Sequence, residues 1–201
     1  MSLVWFVAAL LPMFASQILR LQQHDAAGWI FWDYAGRLCA LAMLAAIPAA
    51  RVIAFRREAR RLPLWKDGLW VIGVMLASIA LIGLERPINV AFPMTALGFY
   101  PRSNGWLHLV DVTFGLVLVA LSEEIMFRRL AGDMLRPWLG DRTLMVIATS
   151  VMFGAYHWWA GLGAVIDVSA IGAFLMLFYR RSGALWPVVL AHYLVDLYFF
   201  A

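Results

Sequence analysis

Residues 121–128 read Leu-Ser-Glu-Glu-Ile-Met-Phe-Arg and lie inside a long apolar run, the predicted helix 108–131. Glu123 and Glu124 are adjacent in this run, and Arg128 follows Glu124 by about one helical turn. A charged side chain at the centre of a membrane helix costs roughly 2.5–3.5 kcal/mol on insertion scales. Charged residues that are kept at such a depth usually serve a function, so these carboxylates are the first candidates for a functional site.

The composition around this stretch predicts a membrane protein. Of the 201 residues, 64% are hydrophobic and only 14% are charged, whereas soluble domains have about 45–50% apolar and about 25% charged residues. The apolar segments are continuous rather than alternating, which favours helices over a β-barrel. The predicted fold class is therefore all-α, with one polytopic membrane domain over residues 1–201. A single cysteine, Cys39, excludes an internal disulfide and any multi-cysteine metal site.

Seven candidate spans can be drawn along the chain, each near the ~20 residues that a helix needs to cross a bilayer. They cover 3–20, 29–54, 68–84, 108–131, 143–161, 164–180 and 184–201. Segment 85–106 contains three prolines, which predicts an external loop at the membrane interface rather than a regular helix. Residues 1–107 carry no recognisable motif, although Asp33 and Arg37 have the i,i+4 spacing of a structural ion pair.

Basic residues are divided unevenly among the predicted loops. The loops after the second, fourth and sixth spans, counted with the adjoining span ends, hold six, four and two Lys or Arg residues, against three on the opposite side. The positive-inside rule then places the N-terminus in the cytoplasm and the C-terminus outside. We expect an integral protein of a bacterial cytoplasmic membrane whose basic residues reflect orientation in the lipid bilayer, with no nucleic-acid partner.

The first motif contains the two glutamates. Glu124 and Arg128 share one helix face and can pair. Glu123 points about 100° away, where it is predicted to line a cavity outside any ion pair. Two carboxylates in different environments can take separate acid and base roles, although a buried structural ion pair is the alternative.

Two further motifs place imidazoles in later spans. Phe153 precedes His157 by four residues, so the ring can buttress the imidazole. His192 and Asp196 have the same spacing, so the carboxylate can hold the imidazole in one tautomer. Each motif alone is also compatible with a hydrogen-bonded structural residue.

Together the motifs provide the groups that a peptide hydrolase needs, in a polar cavity between spans four, five and seven. Glu123 could deprotonate a water that His157 holds from the other side. His192 could then donate to the tetrahedral oxyanion, with Asp196 protonated or orienting the imidazole.

The order Glu-Glu-x-x-x-Arg, Phe-x-x-x-His and His-x-x-x-Asp resembles the CAAX protease and bacteriocin-processing family of intramembrane endopeptidases. The resemblance covers residues ~108–201, and it includes the run Gly-Ala-Leu-Trp-Pro at 183–187. It implies active-site positions at Glu123, His157, His192 and Asp196, with Glu124 and Arg128 in support. The CAAX-cleaving members have Asn at the position of Asp196. The predicted substrate is therefore a membrane-anchored or lipidated protein or peptide precursor, cleaved at its C-terminus or leader.

Two alternatives stay open at this point. The same four side chains could bind zinc, since His and carboxylates are good zinc ligands. We expect no metal cofactor, because the chain has no His-Glu-x-x-His and a four-ligand set would leave no separate general base. A transporter or a bacteriocin-immunity protein could also use the cluster without hydrolysis, although the sequence shows no inverted repeat.

Overall fold

The structure is a computed structural model that describes residues 2–140 and 143–201, and most of these residues are helical. The α-helices are α1 (Ser2–Arg20), α2 (Ala26–Ala46), α3 (Pro48–Ala54), α4 (Leu64–Ala91), α5 (Gly105–Val110), α6 (Leu116–Glu124), α7 (Ala131–Leu139), α8 (Thr143–Tyr156), α9 (Leu162–Ser182) and α10 (Trp186–Phe200). Over the described ranges the only β-type pairing is an isolated bridge between Ala96 and Ala160. The predicted all-α class is confirmed.

Membrane-crossing helices are fewer than predicted among the described residues. Three helices, α1, α4 and α9, are long and apolar enough to cross a bilayer, and α2 with α3 adds a fourth if the bent pair is one span. Helices α8 and α10 have 14 and 15 residues, short of the ~20 that a crossing needs. The protein is polytopic, but the described residues contain three or four full-length spans and not the predicted seven.

Prolines account for two differences from the predicted spans. The predicted span 29–54 bends by 109° between α2 and α3, where Ile47 is extended at φ −89° and ψ 114°. Pro48 explains this break, because a residue before proline avoids the helical region. In contrast, Pro87 lies inside α4, so the predicted loop 85–106 is wrong for residues 85–91. A membrane helix tolerates proline where neighbouring groups satisfy the released carbonyl.

Helical structure is continuous over residues 105–139, because two π-helical turns join α5, α6 and α7. The turns are Asp111–Gly115 and Ile125–Leu130. The second turn begins directly after Glu124, and all six of its residues are buried. Single π turns inside α-helices often occur at functional sites, and this one adjoins the glutamate motif.

The first π turn carries a buried carboxylate that two tyrosines hold. Asp111 Oδ1 accepts hydrogen bonds from the hydroxyls of Tyr34 and Tyr100 at 2.7 and 2.8 Å. Burial raises the pKa of the Tyr100 phenol, and the Asp33 and Asp111 carboxylates raise it further. The phenol is therefore a hydrogen-bond donor at neutral pH.

The described residues form two compact units, each built from separate stretches of chain. Unit one contains the residues up to Arg57, Tyr100–Met134 and Asp196–Ala201, and unit two contains Glu58–Phe99 and Leu135–Val195. In unit one, α2 packs against α1 and α6. In unit two, α9 packs against α4 and α8. Each unit contains residues from the motif-free stretch 1–107 and from the motif-bearing stretch 108–201.

Small residues bring α8 close to α9 in unit two. A Cβ on Gly154 would overlap the Ser169 hydroxyl, and a Cβ on Gly172 would lie 2.8 Å from Cδ1 of Phe153. The close contact locks the Phe153 ring, which is 2% exposed, between the two helices.

Candidate active site

The predicted pair between Glu124 and Arg128 is confirmed in unit one. Arg128 donates from Nε to Glu124 Oε2 at 2.7 Å and from Nη2 to Oε1 at 3.2 Å. Both side chains are fully buried. A buried charge needs such a partner, because the desolvation penalty is several kcal/mol per ion. The pair bridges α6 and the second π turn and so fixes the backbone beside Glu123.

Glu123 is also in an ion pair, which corrects the prediction that it lies outside any such pair. Its Oε1 is 2.8 Å from Nη2 of Arg37 on α2, and both side chains are buried. The prediction was wrong because it considered partners on the same helix only. Residues distant in sequence can meet once helices pack, and α2 packs against α6.

Arg37 belongs to a buried network of alternating charges. It donates from Nε to Asp33 Oδ2 and from Nη1 to Ser122 Oγ, both at 2.9 Å. Asp33 also accepts a hydrogen bond from Arg20 on α1. The predicted Asp33–Arg37 pair is confirmed, and the network extends it to Glu123. Two guanidinium groups therefore offset two carboxylates.

Arg20 and Arg37 were not predicted from the sequence as neighbours of the candidate site. The sequence contained one signal that could have identified them. Arg20 and Arg37 carry two positive charges in an apolar setting, and Asp33 alone cannot neutralise both. That excess predicts a further buried acid, but it does not say which one.

His157 lies just after the C-terminal end of α8, and not inside a span 143–161 as predicted. Its Nδ1 is 3.0 Å from the carbonyl oxygen of Phe153. A carbonyl oxygen only accepts, so Nδ1 carries the proton in this contact, and in the neutral ring Nε2 has the lone pair. A ring in this tautomer can accept a hydrogen bond from water through Nε2.

The Phe153 ring contacts both imidazoles of the predicted site. Its centroid lies 5.1 Å from that of His157 and 5.8 Å from that of His192, at interplanar angles of 78° and 84°. These are edge-to-face contacts, a favoured geometry for aromatic rings. The predicted contact of Phe153 with His157 is confirmed, and the same ring also contacts His192. Unit two therefore brings the two predicted histidines together around one locked ring.

Asp196 lies four residues after His192 on α10 and is partly exposed. It belongs to unit one, as do Glu123, Glu124 and Arg128, whereas Phe153, His157 and His192 belong to unit two. The assignment of four ionisable side chains to one catalytic site stays a prediction.

Zinc, if the reaction used it, would have to be bound by the predicted histidines and carboxylates. Within residues 2–140 and 143–201, no group of three or more His, Cys, Asp or Glu side chains is arranged to hold a metal ion. The absence of a metal cofactor stays a prediction.

Residues 104–198 match the profile of the family described as type II CAAX prenyl endopeptidase Rce1-like. The matched region contains all three motifs. This region of the chain is similar to that family. The Rce1-like match confirms the resemblance inferred from the motifs and, with the apolar helices, indicates a membrane-embedded protease that acts on a peptide substrate. No curated protein and no solved structure matches the chain.

Proposed function

We propose that the protein is a glutamate-dependent intramembrane endopeptidase that cleaves a membrane-anchored or lipidated protein or peptide precursor. The match of residues 104–198 to an endopeptidase family carries the proposal, because the glutamate and histidine motifs all fall inside the matched region. Two local geometries support it. The carboxylate of Glu123 is buried beside a guanidinium, and His157 has the tautomer that accepts a hydrogen bond through Nε2.

In the proposed reaction Glu123 takes a proton from a water that His157 orients. The water oxygen bonds to the scissile carbonyl carbon as the π electrons of that carbonyl move onto its oxygen. His192 donates a hydrogen bond to this oxyanion, with Asp196 holding the imidazole. Protonated Glu123 then gives its proton to the amide nitrogen as the oxyanion reforms the carbonyl and the C–N bond breaks. The products are a carboxylic acid and an amine, and the acid then passes its proton to the amine to give a carboxylate and an ammonium group.

The decisive test is cleavage of a farnesylated peptide ending in a CAAX sequence, with a fluorophore and a quencher on opposite sides of the scissile bond. The reconstituted protein is expected to cleave it, and Glu123→Gln should lower the rate about 10²–10⁴-fold, the contribution of a general base. The matched control is Glu85→Gln, a partly buried glutamate on α4 outside the motifs. The proposal would be contradicted if the wild-type protein cleaved neither this peptide nor the anchored peptide described next, or if Glu123→Gln cleaved either of them at an undiminished rate.

A second peptide addresses the nature of the substrate. It keeps the scissile sequence but replaces the farnesyl group with an apolar membrane-spanning anchor. Cleavage of only the farnesylated peptide would assign the protein to lipidated substrates, and cleavage of only the anchored peptide to membrane-anchored precursors. We further propose a metal-free reaction, so dialysis against a zinc chelator should leave the rate unchanged. A loss that added zinc restores would assign the zinc-dependent reaction instead.

The chain is an integral membrane protein, and we propose a bacterial cytoplasmic membrane with the N-terminus inside and the C-terminus outside. Helices α4 and α9 are antiparallel, since Arg61 N donates to Ser182 O at 2.6 Å at one end and Gly163 N donates to Asn89 Oδ1 at 2.8 Å at the other. The first of these ends also carries the basic residues around Arg61 and in the last turn of α9. This clustering supports a cytoplasmic position for that end. Labelling of single cysteines at Arg57 and Phe99 with an impermeant maleimide tests it, since only the second should react in intact spheroplasts.

A further inference from the structure

We infer that Arg37 is a positioning residue for Glu123, so that α1 and α2 are part of the catalytic machinery. The inference rests on the proposed role of Glu123 as general base. Arg37 lies outside the family match, which begins at residue 104. Arg37, which contacts Glu123 of the first motif, is therefore not part of the region that matches the family.

The contacts of Arg37 fix the orientation of its guanidinium. Nε, Nη1 and Nη2 each contact a different residue, Asp33, Ser122 and Glu123. A guanidinium is planar and rigid, so three contacts in three directions define its plane. Ser122 and Glu123 are consecutive, which means that one guanidinium holds two neighbouring side chains in the last turn of α6.

The network behind Arg37 is itself fixed. Asp33 is held between Arg37 and Arg20, and all three side chains are buried. Helix α1 approaches α2 so closely that a Cβ on Gly36 would overlap the Ser16 side chain. The tight contact leaves the ion pairs little room to rearrange, because a displaced side chain would bury an uncompensated charge.

The geometry of Arg37 differs from that of an arginine that only neutralises a carboxylate. Arg128 directs two nitrogens to the two oxygens of Glu124. Arg37 contacts Glu123 from Nη2 and uses Nε and Nη1 for groups that anchor it to α2 and α6. This arrangement fixes the direction of the Glu123 carboxylate and stabilises its ionised form, which is the form that accepts a proton. A displacement of about 1 Å at a catalytic group can lower a rate roughly 100-fold.

The experiment measures kcat and KM in proteoliposomes for the wild-type protein and a set of variants, on the farnesylated or the anchored peptide, whichever the wild-type protein cleaves. Arg37→Gln should lower kcat about 100-fold with KM changed by less than about threefold, since an interaction used in the transition state is lost. Arg37→Lys should recover part of the rate, because it keeps the charge but cannot make three contacts. Arg56→Gln is the matched control, since Arg56 is a partly exposed arginine of unit one that pairs with Asp133. It should keep the wild-type kcat.

Ser122→Ala is a second test that remains informative if Arg37→Gln fails to fold. It removes one contact of Arg37 and no charge, and its kcat should fall between those of the wild type and Arg37→Lys. All rates are given per molecule of monodisperse protein, so lost fold does not count as lost turnover. This inference would be overturned, and the proposed function kept, by one combination of results. Ser122→Ala and either Arg37 variant would keep the wild-type kcat, whereas Glu123→Gln would be inactive. An active Glu123→Gln, or a wild-type protein that cleaves neither peptide, would overturn the proposed function and the inference with it.

Discussion

The two units stabilise buried polar groups in different ways. In unit one, Asp33, Glu123 and Glu124 each lie within 3 Å of a guanidinium nitrogen, at 2.9, 2.8 and 2.7 Å. In unit two, Asp67 and Asp167 are just as buried. The Asp67 carboxylate is 3.8 Å from the nearest paired guanidinium, and Asp167 Oδ1 has no hydrogen-bond partner among the residues that the structure describes.

This difference matches the chemistry that each unit is proposed to supply. A carboxylate that must be ionised at neutral pH is stabilised by a fixed positive charge, as Glu123 is by Arg37. An imidazole that must stay neutral is better held by an aromatic edge and a backbone carbonyl, as His157 is by Phe153. Charge compensation and ring packing are thus two separate ways of orienting the proposed catalytic groups.

The largest effect on stability is expected from removing one half of a buried ion pair in unit one. Arg128→Met leaves Glu124 charged and buried, so the free energy of unfolding should fall by about 3–5 kcal/mol. The matched change in unit two is Arg60→Met, which breaks a long and partly exposed contact with Asp67 and should alter stability by no more than about 1 kcal/mol. Chemical unfolding in detergent measures both, and equal losses would remove the difference between the units.

A smaller effect on stability, with a clear effect on rate, is expected for the ring that supports both histidines. Phe153→Leu keeps an apolar side chain in the core, so it should cost less than about 1.5 kcal/mol. The rate of peptide cleavage should nevertheless fall about tenfold or more, since both imidazoles lose their edge contact. Phe178→Leu is the control, because Phe178 is equally buried but stacks on Trp70. Equal cleavage rates in the two variants would show that ring packing does not orient the histidines.

The smallest effect is expected at Asp167. Asp167→Asn removes a buried charge whose Oδ1 has no hydrogen-bond partner among the described residues, so stability should stay unchanged or rise by up to about 1 kcal/mol. Asp33→Asn is its counterpart in unit one and should destabilise the protein by about 3 kcal/mol, because two buried arginines lose their shared carboxylate. Thermal unfolding of the two variants side by side would test the comparison, and a large loss at Asp167 would contradict it.

Local spacing carried the successful predictions. The Glu124–Arg128 and Asp33–Arg37 pairs follow from i,i+4 geometry on one helix, and the contact of Phe153 with His157 follows from the same spacing. Helix ends were less accurate, because whether proline breaks a helix depends on tertiary surroundings, as the opposite behaviour of Pro48 and Pro87 shows.

Long-range partners could not be predicted from spacing. Arg37 and Glu123 belong to different helices, and nothing in either helix alone specifies which faces meet. The same holds for His192, whose contact with the Phe153 ring joins α10 to α8. Motif order identified the family, whereas the residues that orient the motif side chains became apparent only with the packing of the helices.

The π turns in residues 105–139 have a consequence for rotational phase along the helix. Each wider turn changes the direction in which the next residues point, so Asp111 can meet its two tyrosines while Glu123 meets Arg37. Deleting one residue from Ile125–Leu130 would restore an ordinary helix and leave the later side chains near their present direction. A deletion within α6, where no wide turn absorbs it, would instead rotate every later side chain by about 100°. Asp133 would then turn away from Arg56, so in this protein chain length itself sets which helix faces meet.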